Sequence, residues 1–407
     1  MKFHKKTIRD VPLEGTTVLL RADYNVPLAE DGSVKDDFRI RASLPTVKAL
    51  LKKGCKVVIV SHLGRPEGRD ESLTIEPAAQ RLAELLGEPI RFVDQTVGNK
   101  VKMAIKRAPK RSVVVLENLR FHAEEEANDE AFARQLASDT GAKYFVQDGF
   151  GVVHRDHAST AAITLCIPSV AGLLLEKEYV SIVKAMRHPE RPLVAVTGGA
   201  KVSDKIQVVK ELVEKADSVL VGGAMANTFL AGLGQSVGAS KYEAGQAEVV
   251  KDIVTLAGKR SAELGVDLSE FLELPSDVAV AKSVDDKHVE NMPVDAVTEH
   301  DMILDIGTVT AEHFARTIAN AKTIIWNGTM GFAEKEVFSH GSAAVARAMT
   351  QNASAESIVG GGDTADFAIH WDTKNGDSFS HISTGGGASL ELMAGETLPG
   401  IEHLLDA

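Results

Sequence analysis

Arginine and histidine recur at one kind of place in the first half of this chain, just past short β-branched runs: VLLRADYN, VVIVSHLGRP, VVVLENLRFH and YFVQDGFGVVHR. In an open α/β sheet small ligands bind outside the carboxyl ends of the strands, so Arg21, His62, Arg65, Arg120, His122, His154 and Arg155 would converge on one anion. The second half repeats the scheme with glycine, in LVAVTGGAK, VLVGGAMANTF, TIIWNGTMGF, SIVGGGDTA and HISTGGGAS. Glycine after a strand lets backbone N–H groups come close to phosphate oxygens. One half therefore reads as built for a small polyanion and the other for a phosphate chain.

Single residues within these loops admit plainer readings. GGAKVSDK, residues 198–205, lacks the G-x-x-x-x-G-K-[ST] spacing, and no G-x-G-x-x-G loop of the protein-kinase kind occurs. What remains is a strand, two glycines, Lys201 and a helix starting near Ser203 or Asp204. Lys205 then falls in the first helical turn, where the dipole disfavours a cation by up to about 1 kcal/mol. An arriving anion would relieve that cost; otherwise Lys205 is solvated and paired with Asp204. Asp363 in GGGDTADF reads as an N-cap, as a Mg²⁺ ligand beside phosphates, or as both. STGGGASLE, residues 383–391, offers one more glycine-rich helix start able to hold a transferring phosphoryl group. Arg39 follows Asp36 and Asp37 and would form a surface ion pair, as Arg120 would with Glu124 to Glu126. Independent surface charges have no reason to follow strands each time, so the repetition favours a site. His4, His188, His300 and His403 show no such placement.

The elements that must position these residues follow from periodicity. RIRASLPTVKALLKKG puts Ile40, Leu44, Val47 and Leu51 on one helical face and stops at Gly54 before the strand KVVIV. Further helices are EPAAQRLAELLG, DEAFARQLASDTG and DKIQVVKELVEKAD, each after one of the charged or glycine loops. This alternation predicts an α/β protein with two mainly parallel sheets covered by helices. The boundary belongs near Pro168 to Pro192, where SVAGLLLEKEYVSIVKAMRHPERP reads as an apolar loop and one long amphipathic helix acting as a spacer.

Bulk properties exclude several classes. At 407 residues the chain exceeds the size at which one core usually keeps growing, so two domains are expected. A net charge of −12 without a basic stretch argues against nucleic acid or an anionic membrane as partner. Only Cys55 and Cys166 occur, both beside apolar runs, which predicts buried thiols in a reducing cytoplasm. The basic start MKFHKKTIRD is followed by a run too short for a signal-peptide core, and no stretch approaches a membrane span, so no export route is expected.

RADYNVPL, RIRASLPT, SHLGRP, LENLRFHAEEE, HRDHAST, GGAKVSDKI, LPSDV, WNGTMGFAE, GGGDTA and STGGGASLELMAGETLPG resemble, in order, the signatures of the phosphoglycerate kinases, nearly end to end. The resemblance implies a phosphotransferase with a carboxyl acceptor, exchanging a phosphoryl group between 1,3-bisphosphoglycerate with MgADP and 3-phosphoglycerate with MgATP. It implies a cytoplasmic monomer with two Rossmann-like domains and a hinged cleft. The first domain would span residues 1–172, completed by 384–407; the joining helix 173–190; the nucleotide domain 191–383. Phosphoglycerate would meet Asp23, Tyr24, Asn25, Arg39, His62, Leu63, Gly64, Arg65, Arg120 and Arg155. Arg39 and Lys205 would flank the transferring group, with amides of Gly362, Gly385 and Gly386. The nucleotide would meet Lys201, Lys205, Asn327, Glu334, Gly361, Gly362, Asp363 and Thr364, with Mg²⁺ on Asp363.

Some positions depart from the family pattern. Thr308 and Thr329 stand where proline is common, Phe332 and Ala333 replace Val-Phe, and Gly149, Val152 and Val153 replace Ala, Thr and Ala. Looser nucleotide loops with altered nucleotide affinity or base selectivity are the expectation. A dinucleotide oxidoreductase would need G-x-G-x-x-G and an acidic residue about 20 positions on, which is absent. A non-catalytic descendant would have lost Arg39, Lys205 or Asp363, and all three are present.

Overall fold

The β-branched runs form strands buried on both faces, which is what an all-parallel sheet between helices requires. In the first half β1 (Thr17–Arg21), β2 (Lys56–Val60), β3 (Arg91–Val93), β4 (Ser112–Leu116), β5 (Tyr144–Gln147) and β6 (Ser169–Ala171) pair in parallel in the order β3-β4-β2-β1-β5-β6. Because successive strand residues point to opposite faces, Leu20, Val57 and Ile59 pack with Val47, Leu50 and Leu82. Their neighbours Leu19, Val58 and Phe145 pack with Ile105, Phe132 and Leu136 on the other face. Helix Phe38–Lys52 buries Ile40, Val47 and Leu51 as its pattern predicts, with Leu44 half-buried. Asp129 caps helix Glu130–Thr140 by accepting the Phe132 N–H at 2.7 Å, and left-handed Gly141 ends it.

The second half builds β7 (Leu193–Thr197), β8 (Ser218–Val221) and β9 (Leu272–Glu273), then β10 (Asp277–Ala281), β11 (Glu290–Pro293) and β12 (Met302–Ile306), then β13 (Thr323–Asn327), β14 (Glu356–Gly360) and β15 (His381–Ile382). Six of them form a parallel sheet, β15-β14-β13-β7-β8-β9. The other three form an antiparallel sheet, β11-β10-β12, which the strand–helix rhythm does not predict. The segment between β10 and β11 is too short for a crossover helix, so the chain returns antiparallel.

In this computed structural model, which describes residues 2–407, one compact unit runs to Val180 and is rejoined by Thr397–Ala407, and the other is Ser181–Glu396. The first division falls inside helix Leu173–Arg187, within the segment marked by Pro168 and Pro192. The return lies at Thr397 and not near Thr384, because residues after β15 run directly into helix Gly387–Met393 of the second unit. The last residues are tied to the first unit by Lys6 N donating to Leu405 O (2.7 Å) and Gly400 N to Val153 O (2.8 Å). Cys55 is buried as expected, Cys166 only partly, and both are free thiols. No helix among the described residues is long and apolar enough to cross a membrane.

Both parallel sheets reverse their order of travel once. The reversal lies between β1 and β5 in the first, where Arg21 is level with Gln147, and between β7 and β13 in the second, where Thr197 is level with Asn327. Loops leaving such neighbours diverge and open a crevice at the carboxyl ends of the strands.

Phe145 lies fully buried on β5 beside the first of these crevices. Phe145→Ala is expected to cost about 3–5 kcal/mol of stability, read from urea unfolding followed by circular dichroism. A loss below about 1 kcal/mol would mean that the core closes over the gap.

Candidate functional site

Arg21 ends β1 with its guanidinium buried. Its Nε donates to Ser159 Oγ (2.8 Å), that hydroxyl donates to Glu125 Oε1 (2.6 Å), and Nη2 lies 3.3 Å from His62 Nδ1. Arg39, in the first turn of its helix, donates to Asp23 Oδ2 and to the Asn25 carbonyl, each at 3.1 Å. It does not pair with the neighbouring Asp37, whose carboxylate is taken by Arg41 and Arg81. Asn25 Oδ1 accepts the Gly64 N–H at 2.9 Å, which joins the loops after β1 and β2. Arg120 donates to the Gly64 carbonyl (2.6 Å) and lies 3.0 Å from Glu126, so the acidic run does supply one partner. Its buried Nη2 has no hydrogen-bond partner among the described residues, a donor left for a ligand.

The electrostatics show that these cations share one place. Burial holds His62 well below the usual imidazole range, and Arg21, Arg120, Arg39 and Arg155 all push it further down. His154 and His157 are held down to about 4, by burial first and then by arginines led by Arg155 and Arg120 respectively. The histidines are therefore neutral near pH 7, and the arginines carry the charge. Gly149 matches this crowding, since a Cβ there would stand 3.1 Å from the Ala22 carbonyl carbon.

Not every expected residue reaches the site. His122 packs its ring on Phe132, with centroids 5.0 Å apart, whereas Arg65 is exposed next to Gly64 and stays open to a ligand. Tyr24 turns its hydroxyl into the core toward Ser43 Oγ (3.0 Å), and its N–H is taken by Ser61 Oγ. The main chain of Leu63 is held on both sides by the Asn118 amide. Tyr24 and Leu63 thus serve as scaffold. Sequence reasoning missed Asn118, whose four hydrogen bonds bind Leu63, Leu73 and Arg120 together. It also missed Ser159 and treated Glu125 only as a possible partner of Arg120. The signal for Asn118 was its place at a strand end in LENLRFH.

At the second crevice most glycines serve loop-on-loop contact and not a ligand. Gly198 N–H is spent on Asn327 O (3.0 Å), Gly199 N–H on Thr329 O (3.0 Å) and Gly223 N–H on Met330 O (2.8 Å). Gly328, at φ 107°, could not carry a Cβ, which would fall 2.2 Å from Gly198 C. Gly361 at φ 89° caps helix Gly362–Trp371, and Gly362 and Gly386 face open space. Gly385 N–H is bonded to Ser383 Oγ at 3.1 Å. Among the described residues, amides without intrahelical partners stand at the start of helix Gly362–Trp371, from its cap Gly361 onward, as at any helix start.

Lys205 precedes helix Ile206–Lys215 and is half-buried, its Nζ donating to the Gly198 carbonyl at 3.1 Å. Burial pushes its pKa down to about 8 against the pull of Asp363 and Asp204. Asp363 is exposed in the first helical turn, and the capping position belongs to Gly361, so the N-cap reading falls. Asn327 is fully buried at the end of β13, and neither polar atom of its amide has a partner among the described residues. Thr364 instead braces the neighbouring loop, its Oγ1 accepting the Gly328 N–H at 2.7 Å. A cavity of about 340 Å³ is lined by Gly199, Gly223, Phe332, Glu334 and Asp363, within the size range of small-molecule sites. Lys201 is exposed beside it. An exposed carboxylate next to free helix-start amides fits a Mg²⁺-bound phosphate chain. The Thr308 N–H donates to Asn291 Oδ1 (3.1 Å), a bond that proline could not make, so that departure is compensated locally.

The phosphoglycerate kinase family model matches residues 8–396. The phosphoglycerate kinase of Dictyoglomus turgidum is 46% identical over 406 residues, 99% of each chain, and that of Aquifex aeolicus 45% identical over 412 residues, also 99% of each. Among solved structures, the phosphoglycerate kinase of Coxiella burnetii is similar with a TM-score of 0.82 at 34% identity, and that of Pyrococcus horikoshii with 0.83 at 32%, each covering 98% of both chains.

The two kinds of glycine should behave differently on substitution. Gly328→Ala is expected to cost about 3 kcal/mol or more, whereas Gly362→Ala should stay within about 0.5 kcal/mol of the parent, both read by urea unfolding. Equal losses at the two positions would contradict the division.

Proposed function

The chain belongs to the phosphoglycerate kinase family, and from that premise we propose how its residues share the transfer of a phosphoryl group between 1,3-bisphosphoglycerate with MgADP and 3-phosphoglycerate with MgATP. The observation that carries the proposal is the buried basic cluster in which Arg21 lies 3.3 Å from His62 Nδ1 and Arg120 keeps a buried Nη2 without a partner among the described residues. A small dianion would bind there through Arg39, Arg120, Arg155, Arg65 and His62, with Asp23 and Asn25 orienting Arg39 and Gly64. The nucleotide would lie in the second unit's cavity, its phosphates on the amides from Gly361 and Gly362, its length along Asn327 and its ribose at Glu334. Mg²⁺, when bound, would neutralise phosphate charge, and Asp363 is the carboxylate placed to hold it.

No general base is needed, because the acceptor is a carboxylate already ionised at neutral pH. The remaining task is positioning and charge. Phosphoryl transfer spreads negative charge over three equatorial oxygens, and Arg39, Lys205 and the amides of Gly362 and Gly386 would meet it. Gly385 would contribute through the backbone shape that presents Gly386. A partly desolvated lysine beside the phosphates would be stabilised as soon as they arrive, which accounts for a half-buried cation with no carboxylate within bonding distance among the described residues. Donor and acceptor assigned to different units must be brought together, so closure of the units would precede chemistry and exclude water. One chain carries both half-sites, which suits a monomer, and two free thiols suit the cytoplasm.

In an assay that traps the bisphosphoglycerate product, Arg39→Ala and Lys205→Ala should each lower kcat by about 10²- to 10³-fold. Retention of near-parental kcat in both would remove them from the transfer step. The protonated form of Lys205 binds phosphate, and that form is lost above its pKa. The value of kcat/KM for ATP should therefore fall as pH rises through about 8, and Lys205→Arg should abolish that alkaline limb while keeping measurable activity. An unchanged limb in Lys205→Arg would assign it to another group.

A further inference from the structure

We infer that Arg21 is a positioning residue that fixes the tautomer of His62, and thereby decides that Nε2–H is the ring's donor to the substrate. The inference rests on the phosphoglycerate reading of the first unit's site and goes beyond it, since Arg21 has no assigned contact with the substrate there.

Every edge of the Arg21 guanidinium is engaged. Nε donates to Ser159 Oγ (2.8 Å), Nη1 to the Ala22 carbonyl (2.5 Å), and Nη2 approaches His62 Nδ1 at 3.3 Å. A guanidinium has only donors and keeps its charge in proteins, so the partner atom on the imidazole must be the one with the lone pair. Nδ1 is therefore unprotonated, and the proton of the neutral ring sits on Nε2. An imidazolium would aim an N–H at an N–H in this geometry. It would also stand among Arg21, Arg120, Arg39 and Arg155, the charged groups that bear on the ring. Nε2 has no hydrogen-bond partner among the described residues.

The placement of Arg21 is itself built. The Ser159 hydroxyl donates to Glu125 Oε1 (2.6 Å) and the Ser159 N–H to Oε2 (3.0 Å), so the lone pairs of Oγ face Arg21. Glu125, Ser159, Arg21 and His62 form one directed chain through a fully buried region. Its product is a neutral, oriented donor among cations, which gives an anionic ligand direction without one more positive charge to desolvate. The tautomer was assigned from this hydrogen-bond logic, and it is directly measurable.

The test is long-range ¹H–¹⁵N correlation NMR on protein carrying ¹⁵N-labelled histidine rings, near pH 7 and without ligand, with His62 identified by the signals lost in His62→Gln. The inference expects a protonated Nε2 and a bare Nδ1. An Nδ1–H tautomer or an imidazolium would overturn it. Arg21→Lys keeps a cation but loses the planar fork; it should mix the tautomers and raise KM for 3-phosphoglycerate about tenfold with KM for ATP changed less than about twofold. A folded Arg21→Lys with the parental tautomer and KM would remove Arg21 from the role. If that variant does not fold, Ser159→Ala, which severs the link to Glu125, is held to the same two readouts. Adding 3-phosphoglycerate separates the two claims. If the free-protein tautomer is as expected but no His62 signal responds, the reading of the site fails and the tautomer assignment stands.

Discussion

The reversal of strand order in each parallel sheet is the constraint from which the chemistry follows. Where β1 meets β5 and β7 meets β13, the outgoing loops part and leave a crevice. Whatever the chain places in those loops is held by a rigid sheet yet open to a ligand. The first crevice carries arginine and the second carries glycine with Lys201 and Lys205. The same scaffold thereby offers mobile-free positive charge in one unit and close backbone approach in the other.

Both sites spend stability to be ready. Arginines gathered around His62 repel one another and are restrained by Asp23, Glu125 and Glu126. Lys205 is desolvated far enough to weaken its own protonation. The side-chain amide of Asn327 is buried without a partner among the described residues. Each is unfavourable in the empty protein and would become favourable on arrival of the anion or nucleotide proposed for it, which is the expected signature of a site and not of a core.

The sequence made much of this legible, for identifiable reasons. Strands and helices were visible because parallel strands are continuous apolar runs and the helices keep a 3.6-residue stripe. Arg120 and Arg155 were visible because charge just past a strand is unusual, whereas Arg39 and Lys205 were legible through RIRASLPT and GGAKVSDKI, two of the motifs that carry the family resemblance. The antiparallel sheet β10 to β12 was hidden, since its strands follow one another without the turn signals that mark a hairpin. The glycines misled in part: a glycine needed for contact between loops, such as Gly328, has the same local pattern as one that faces open space at a helix start, such as Gly362. Ser159 and Asn118 were hidden because their importance lies in partners far along the chain, and single-residue polarity carries no record of that.

The central claim is that the two anionic ligands divide between the two crevices according to their chemistry. The most direct measurement is a crystal structure with 3-phosphoglycerate and MgADP bound together. The account predicts the phosphoglycerate on Arg39, Arg120 and Arg155, and the nucleotide in the second unit's cavity with its phosphates beside Gly362, Asp363 and Asn327. Both ligands on one unit, or phosphoglycerate away from the arginines around His62, would contradict it.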